Sequence, residues 1–590
     1  MDYKLNIKNI VLSENQLELN VSGSVTDSAI SNGIFSQPKV VFFFNNGKEN
    51  RRIPLVMNSV NYVGDKCFFS GKYTYKLDFI YWNTRKEHLP SEMTVNFSYG
   101  DFYTENAIFS IENEVISEDS SLYSFELKEN KIVFSLKEKA RRILLPSIIR
   151  IPLRLAFYFI TFLIAFSLIP WFLLEAVLSF FDITKLDSKV KSPNPIRRII
   201  GHVNQRVSKI TTHKLTFKGI FKGFIILLYS FFKVLPIKQN RVTFISMRRT
   251  ELSGNFEYVY NILKDKNNID INFILCYNDS VFLPLSKTIQ FCYACAVSKV
   301  IVLDEFTPQI HYINLRKETR LIQLWHACGA FKTFGFTRLG KPAGSPQNTK
   351  MHRSYDYVTV SSSYCKKCHS EGFGISDEKV VPTGIARTDV FFDENYKQKV
   401  ISDFYERFPQ LRDKKIILFA PTFRGDVKET ANYPMDKFDI ETVIKELGEE
   451  YAIIIKHHPF VSESHPIPAA YSDRVIDLSD NTELNDLLFV TDIIITDYSS
   501  LIFEAALLKI PMLFYVFDLD EYIRDRDFYF DLRLNSPGKL VFSQNELIAA
   551  IKKSDFETQR MNSFAEMFFD HFDGKSSERV ANLIENALKE

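Results

Sequence analysis

The first ~130 residues alternate apolar and polar positions in short runs: Leu17-Glu-Leu-Asn-Val21, Val40-Val-Phe-Phe-Phe44, Cys67-Phe-Phe69, Met93-Thr-Val-Asn-Phe97 and Ile132-Val-Phe134. A period of two sends successive side chains to opposite faces, so each run predicts a half-buried β-strand. Turn-forming Asn45-Asn46-Gly47 and Gly100-Asp101 separate them. Short strands at near-regular spacing predict a β-sandwich-like module over residues 1–135. No catalytic cluster falls within it, and it reads as a binding or spacer module.

The pattern changes over residues 136–240. Leu155 to Leu174 is twenty residues without a charge, closed by Arg154 and Glu175. That length can cross a bilayer. Pro170 interrupts it, however, and both flanks are basic: Arg141, Arg142, Arg150 and Arg154 before, Lys185 to Arg198 after. One span cannot keep both basic flanks on the same side. A re-entrant or in-plane membrane segment is therefore expected rather than a true span or a core helix. The stretch Leu215 to Pro236 mixes bulky apolar residues with Lys218, Lys222 and Lys233, which suits an anionic leaflet.

From Arg241 onward, apolar runs alternate with helical patterns. Strands are expected at Val242–Ser246, Ile271–Leu275, Val300–Leu303, Leu321–Trp325, Lys415–Phe419, Ala452–Ile455 and Ile493–Thr496, and a helix at Asn255–Lys264. Continuous apolar strands separated by helices predict parallel sheets with crossover helices. The length is that of two such lobes, 241–400 and 401–590, with the boundary near Asp393 to Asp413.

Length and composition agree with this division. At ~150 residues per domain, 590 residues predict three to four domains, and 46% apolar with 24% charged residues is a folded composition. The 54 Phe and 27 Tyr point to many strands or to membrane contact. The net charge of +2 conceals an asymmetry: Ser188 to Thr250 holds 14 Lys/Arg and no Asp/Glu, which leaves the remainder at −12. Such a block expects an anionic partner surface. Its aromatics sit in apolar runs rather than between arginines as base-stacking platforms, so a membrane is expected and nucleic acid is not. Seven Cys thinly spread over the chain argue for a reducing compartment. Met1 to Leu19 carries Asp2, Lys4 and Glu14 with no apolar core, unlike a secretory signal, so a cytoplasmic location is expected.

Four polar clusters fall at expected strand ends, where ligands of open α/β sheets bind. The first is His326, with Gly329 and Lys332 close behind; a histidine there is a natural general base. Alone it reads better as a structural histidine that caps a loop. The second is Pro421-Thr422-Phe-Arg424, where an arginine fork can clamp a phosphate or simply sit on the surface. The third is Lys456-His457-His458-Pro459, suited to a phosphate oxygen or a leaving group. Adjacent histidines on a strand point to opposite faces, so they do not chelate one metal. The fourth is Thr496-Asp497-Tyr-Ser499-Ser500, with Glu504 about one turn further on. A serine-led helix start suits a phosphate, and the carboxylate suits ribose hydroxyls; the bland reading is a plain cap with a solvated Glu.

Cys365-Lys-Lys-Cys368-His369 spells a haem attachment in the wrong cellular context, and a zinc site using it with Cys292 and Cys295 is disfavoured. No metal, no other cofactor and no P-loop is expected.

Together Trp325-His326, Ala420-Pro-Thr-Phe-Arg424, His458-Pro459 and the stretch from Thr496 through Tyr515-Val-Phe-Asp518 to Tyr522 resemble the CDP-glycerol glycerophosphotransferase family. These are the polymerases and primases of wall teichoic acids and related capsule polymers. The resemblance covers Arg241 to Glu590 and leaves the β module outside. It implies a GT-B fold of two Rossmann-like lobes, the first on the acceptor side and the second binding the CDP-polyol, peripheral or monotopic on the cytoplasmic membrane face. It further implies that a hydroxyl of a lipid-linked polymer attacks the β-phosphate of CDP-glycerol or CDP-ribitol and CMP leaves. His326 resembles the family's base and His458 its second histidine. Lys332, Thr422, Arg424, Lys456, Thr496, Asp497, Ser499 and Ser500 would hold the donor, with Glu504 on its ribose. After Trp-His this chain reads Ala327-Cys-Gly-Ala-Phe-Lys332, where many glycerol-specific members read Gly-Thr-Pro-Leu-Lys, and the polyol stays open between glycerol and ribitol. A GT-B nucleotide-sugar glycosyltransferase is the alternative, and a catalytically dead membrane scaffold the third reading.

Overall fold

The computed structural model describes residues 1–136 apart from 14–15, 32–37, 46–49, 56, 77–90, 100–101, 119–122 and 129–130. It also describes 217–590 apart from 267, 278–281, 339–343, 345–350, 426–429, 462, 464 and 480–481. The apolar stretch Leu155–Leu174 and the turns at Asn46-Gly47 and Gly100-Asp101 lie outside the described residues. The chain divides into two compact units. One holds Met1–Arg141, Gly254–Leu263 and Gln323–Leu583; the other holds Arg142–Ser253, Lys264–Ile322 and Ile584–Glu590. This differs from the sequence-based division, because the β module clusters with the C-terminal half.

In the first unit, the period-two runs form two sheets. One is ordered Met57–Val63, Lys66–Lys76, Gln16–Thr26, Asp2–Ser13, Ser110–Glu118. The other is ordered Tyr123–Lys128, Lys131–Leu136, Ser91–Tyr99, Lys39–Asn45, Asn50–Pro54, with Phe102–Thr104 paired to Ser91–Tyr99. Leu17, Leu19 and Val21 from one sheet and Phe42, Val95, Phe97 and Phe134 from the other share a single buried cluster. Two sheets facing each other across one core make a sandwich, as the alternation predicted.

The same unit carries a six-stranded sheet ordered Val475–Asp477, Tyr451–Ile455, Lys415–Phe419, Ile493–Thr496, Met512–Tyr515, Lys539–Val541. All its pairings are parallel. Tyr451–Ile455 and Ile493–Thr496 are buried at every position, which explains their unbroken apolar sequences. In chain order the strands run 3-2-1-4-5-6, a doubly wound arrangement. Its order reverses between Lys415–Phe419 and Ile493–Thr496, and a crevice opens at the carboxyl ends of such strands. Thr422 and Arg424 follow one of these two strands, Asp497, Ser499 and Ser500 the other.

The second unit contains parallel strands Asp270–Leu275, Lys238–Ser246 and Ser298–Leu303, in that lateral order, with helices Phe217–Phe232 and Leu285–Val297. Among the described residues no helix is long and apolar enough to cross a membrane. The strand expected over Leu321–Trp325 ends at Gln323 instead. Trp325 takes a left-handed backbone, φ +60°, which a strand cannot continue through. That conformation is held at both ends: the Trp325 N–H donates to Gln323 Oε1 at 2.9 Å, and Asn255 Nδ2 donates to the Trp325 carbonyl at 2.6 Å. The turn delivers His326 to an exposed position.

Candidate active site

The switch point is locked by one carboxylate. Asp497 is buried, and its Oδ1 accepts from the Thr422 N–H at 2.8 Å and the Thr422 hydroxyl at 2.6 Å. Its Oδ2 accepts from Arg424 Nη1 at 2.9 Å. Thr496 Oγ1 donates to the Ala420 carbonyl at 2.7 Å. Thr422, Thr496 and Asp497 thus tie together the ends of two adjacent strands.

Arg424 departs from its expected role as an open phosphate clamp. Its Nε and Nη2 bind Asp518 as a fork, at 2.7 and 3.0 Å, while Nη1 serves Asp497 and the Thr422 carbonyl. The guanidinium is enclosed by Tyr433, Tyr498, Phe517 and Tyr522. Burial disfavours its charge, but the two carboxylates outweigh burial and raise its pKa above the usual arginine range. Arg424 therefore holds the shape of the crevice. Lys456 likewise turns its Nζ to the Ser479 carbonyl, at 2.9 Å.

Beside this latch stand His458 and Lys332. The Phe460 N–H donates to His458 Nδ1 at 3.1 Å, so the neutral ring carries its proton on Nε2 and presents a donor there. Burial, and then the nearby Lys332 ammonium, lower its pKa to about 4. Phe423 and Phe460 flank the ring, each with centroids at 4.7 Å. Lys332 Nζ donates to Tyr522 Oη at 3.1 Å, and Tyr522 stacks on Tyr498 at 3.8 Å. A neutral histidine donor beside an ammonium suits a doubly charged phosphate better than a metal ion. Among the described residues, no group of three or more His, Cys, Asp or Glu could hold a metal.

Ser500 precedes the helix Leu501–Leu507 and makes no side-chain cap bond, while Ser499 Oγ accepts from the Leu501 N–H at 3.3 Å. Among the described residues neither hydroxyl donates to a partner, which leaves both protons for a ligand. Glu504 is different from its expectation. The residue is 2% exposed, with Oε1 bound by Arg387 Nη2 and Oε2 buried without a hydrogen bond. The carboxylate is buried against Arg387 rather than solvated. Burial, and next the Glu504 charge, push the neighbouring Cys328 thiol far up, so Cys328 is no nucleophile.

Arg387 was not singled out from the sequence. It follows the strand Val380–Val381, and its Nε donates to the His326 carbonyl at 3.2 Å while Nη1 donates to Asn485 Oδ1 at 3.1 Å. Its own N–H donates to Asn255 Oδ1 at 2.9 Å. Asn255 also holds Trp325, so one asparagine and one arginine fix the His326 turn from both sides. The available signal was a charged residue just past a short strand, the same signal used for Arg424. Gly329 completes the turn at φ +61°, where a Cβ would overlap the Phe503 ring, and its N–H donates to Ser361 Oγ at 3.0 Å. On the helix Cys365–Phe373, Cys365 and Cys368 form no disulfide, Cys365 Sγ accepts from Ser362 Oγ at 3.4 Å, and His369 Nδ1 donates to the Cys365 carbonyl at 3.0 Å.

Residues 227–586 match the model of the CDP-glycerol:poly(glycerophosphate) glycerophosphotransferase family. The chain belongs to this family. Among its relatives is the teichoic acid poly(ribitol-phosphate) polymerase of Bacillus spizizenii, 46% identical over 60% of this chain and 58% of that protein. The ribitol-phosphate polymerase TarK of Staphylococcus aureus is 40% identical over 62% of this chain and 72% of its own length. A ribitol-phosphate primase of B. spizizenii is 35% identical over 60% of this chain and 93% of its own. The match thus spans just over half of the first polymerase. The solved wall teichoic acid polymerase TagF superposes with a TM-score of 0.52, at 23% identity, over 68% of this chain and 99% of that one. That likeness places the glycerophosphotransferase region in the GT-B-like fold with Rossmann-like sheets.

Proposed function

We propose that this glycerophosphotransferase family member transfers ribitol phosphate from CDP-ribitol to a hydroxyl of a lipid-linked teichoic-acid-type polymer, releasing CMP. The observation that carries the reading is the pairing of a neutral His458 donor with the Lys332 ammonium at the switch point. Ribitol is favoured over glycerol because the ribitol-phosphate enzymes match at 35 to 46% identity, and the glycerol-phosphate enzymes at 27 to 33%.

In the reaction, the acceptor oxygen forms a bond to the β-phosphorus and the bond from that phosphorus to the CMP oxygen breaks. His326, exposed on its braced turn, takes the acceptor proton. His458 Nε2–H and Lys332 meet the phosphate oxygens as charge moves onto CMP, and Ser499 and Ser500 hold the diphosphate by their hydroxyls. No covalent intermediate is needed, so position and charge carry the rate.

The basic apolar segment gives the enzyme its place on the cytoplasmic face of the membrane, where teichoic-acid or capsule-type chains are built for the cell wall. Helix Phe217–Phe232 supports this. Phe231 is 68% and Val234 82% exposed, and Lys233 between them in sequence is exposed as well. Exposed apolar side chains next to a lysine suit an anionic lipid surface. The test is incubation with CDP-ribitol or CDP-glycerol and a lipid-linked acceptor. CMP from CDP-ribitol with ribitol phosphate in the polymer is expected; turnover of CDP-glycerol alone would overturn the choice of polyol.

A further inference from the structure

The β module lies outside the family match, yet one of its lysines reaches the chain segment that carries Lys332. Lys39 opens the strand Lys39–Asn45, opposite Ser98 on Ser91–Tyr99. Its Nζ donates to the Phe528 carbonyl and lies 3.8 Å from Asp527 Oδ1. Asp527 has φ +58° and ψ 154°, a positive-φ conformation that non-glycine residues rarely adopt, which costs about 1–3 kcal/mol and must be held by its surroundings.

Phe528 is bridged to Lys332 in antiparallel fashion. The Thr333 N–H donates to the Asp527 carbonyl at 3.1 Å and the Tyr529 N–H to the Phe331 carbonyl at 2.9 Å. Thr333 Oγ1 donates to the Arg526 carbonyl at 2.9 Å, and Phe331 stacks on Phe528 and Phe530 at 4.6 and 5.2 Å. Lys332 thus forms one antiparallel bridge with Phe528, and Lys39 grips the Phe528 side of that bridge. Two further contacts join the module to the same region: Lys367 pairs with Glu105 at 3.4 Å, and Asn50–Pro54 packs on the turn Gly335–Thr337.

We propose that Lys39 is a positioning residue for Lys332: it holds Asp527 and Phe528 in the conformation that pairs with Lys332 and so sets where the ammonium meets the donor phosphate. The β module is then part of the donor site's scaffold and not a spacer. The role assigned to Lys332 rests on the proposed polyol-phosphate transfer; the grip itself does not.

Both are read in one experiment on the full chain, with amide hydrogen exchange by mass spectrometry and CMP release from CDP-ribitol measured in parallel. Lys39→Ala should raise exchange in the peptides covering 331–333 and 527–529, leave the sandwich strands protected, and raise KM for CDP-ribitol on the order of ten-fold, the loss of one hydrogen bond from a charged donor. Lys39→Arg, which keeps the charge and a donor, should restore both. If Lys39→Ala also unprotects the sandwich, Asp527→Asn reads the grip from the other side and should raise exchange in the same two peptides. Unchanged exchange there in a folded variant overturns the grip, whatever the enzyme's substrate. Raised exchange with an unchanged KM, while Lys332→Ala does raise it, overturns the coupling. If Lys332→Ala leaves KM unchanged, the reading of Lys332 fails, and the exchange result alone decides the grip.

Discussion

Replacing Arg424 by methionine separates a latch from a ligand clamp. The substitution keeps most of the apolar stem and deletes the three nitrogens that bind Asp497, Asp518 and the Thr422 carbonyl. Asp497 is 2% exposed in its side chain and Asp518 18%, so neither is relieved by bulk water. Removing one partner of a buried pair costs about 3–5 kcal/mol, because the other charge is stranded. Asp497 retains its bonds from Thr422, and Asp518 retains Tyr498 Oη at 2.9 Å, which places the expected loss near the lower end, about 3 kcal/mol. The assay is urea denaturation followed by the fluorescence of the folded chain, where a loss of that size lowers the midpoint by up to about 1 M, since m grows with the surface that unfolding exposes. Adding Asp518→Asn should recover part of the loss, since a stranded charge is removed. KM for the CDP-polyol, measured well below the midpoint, should change less than about three-fold, under ~0.7 kcal/mol. A variant within about 1 kcal/mol of the parent whose KM rises ten-fold or more would refute the latch and return Arg424 to the phosphate.

Three further outcomes follow from the same geometry. His458→Ala should lower CMP release by about 10²-fold or more, the size of a lost transition-state donor, while His458→Gln should retain part of it; turnover within ten-fold of the parent in the alanine variant would remove His458 from the chemistry. His369, His457 and His458 each have pKa values lowered to about 4, first of all by burial, from an unfolded value of 6.5. The unfolded chain therefore binds more protons between those values, so stability is full above pH 6.5 and is lost as pH falls toward 4, by at most about 3 kcal/mol per histidine; a melting temperature flat from pH 7 to 4.5 would contradict this. Gly329→Ala should cost about 2–5 kcal/mol, since it meets both a left-handed backbone and the Phe503 ring, and should lower CMP release with it; a fully stable, fully active variant would contradict the described turn.

Much of the fold was legible because burial writes itself into sequence. Strands covered on both faces, such as Ile493–Thr496, are apolar throughout, and sandwich strands such as Gln16–Thr26 alternate. The strand ends were legible for the same reason: polar residues appear where the sheet stops. What those polar residues touch was not legible. Arg424 reads the same whether it faces a phosphate or two carboxylates, because Asp518 approaches it from 94 residues away. Glu504 reads as an exposed helix residue until Arg387 is brought beneath it from 117 residues away. The left-handed Trp325 was hidden because it depends on Asn255, a residue of another element. The same limit concealed the grip of Lys39, whose partners lie at the opposite end of the chain.

The most direct test of the central claim is CMP release in a single turnover with CDP-ribitol and a competent lipid-linked acceptor, comparing the parent chain with His326→Ala. The account predicts a burst of CMP with ribitol phosphate added to the acceptor, reduced at least ~10²-fold in the variant, the usual size of a lost general base. Undiminished release in the variant, or no release by the parent from either CDP-polyol, would contradict it.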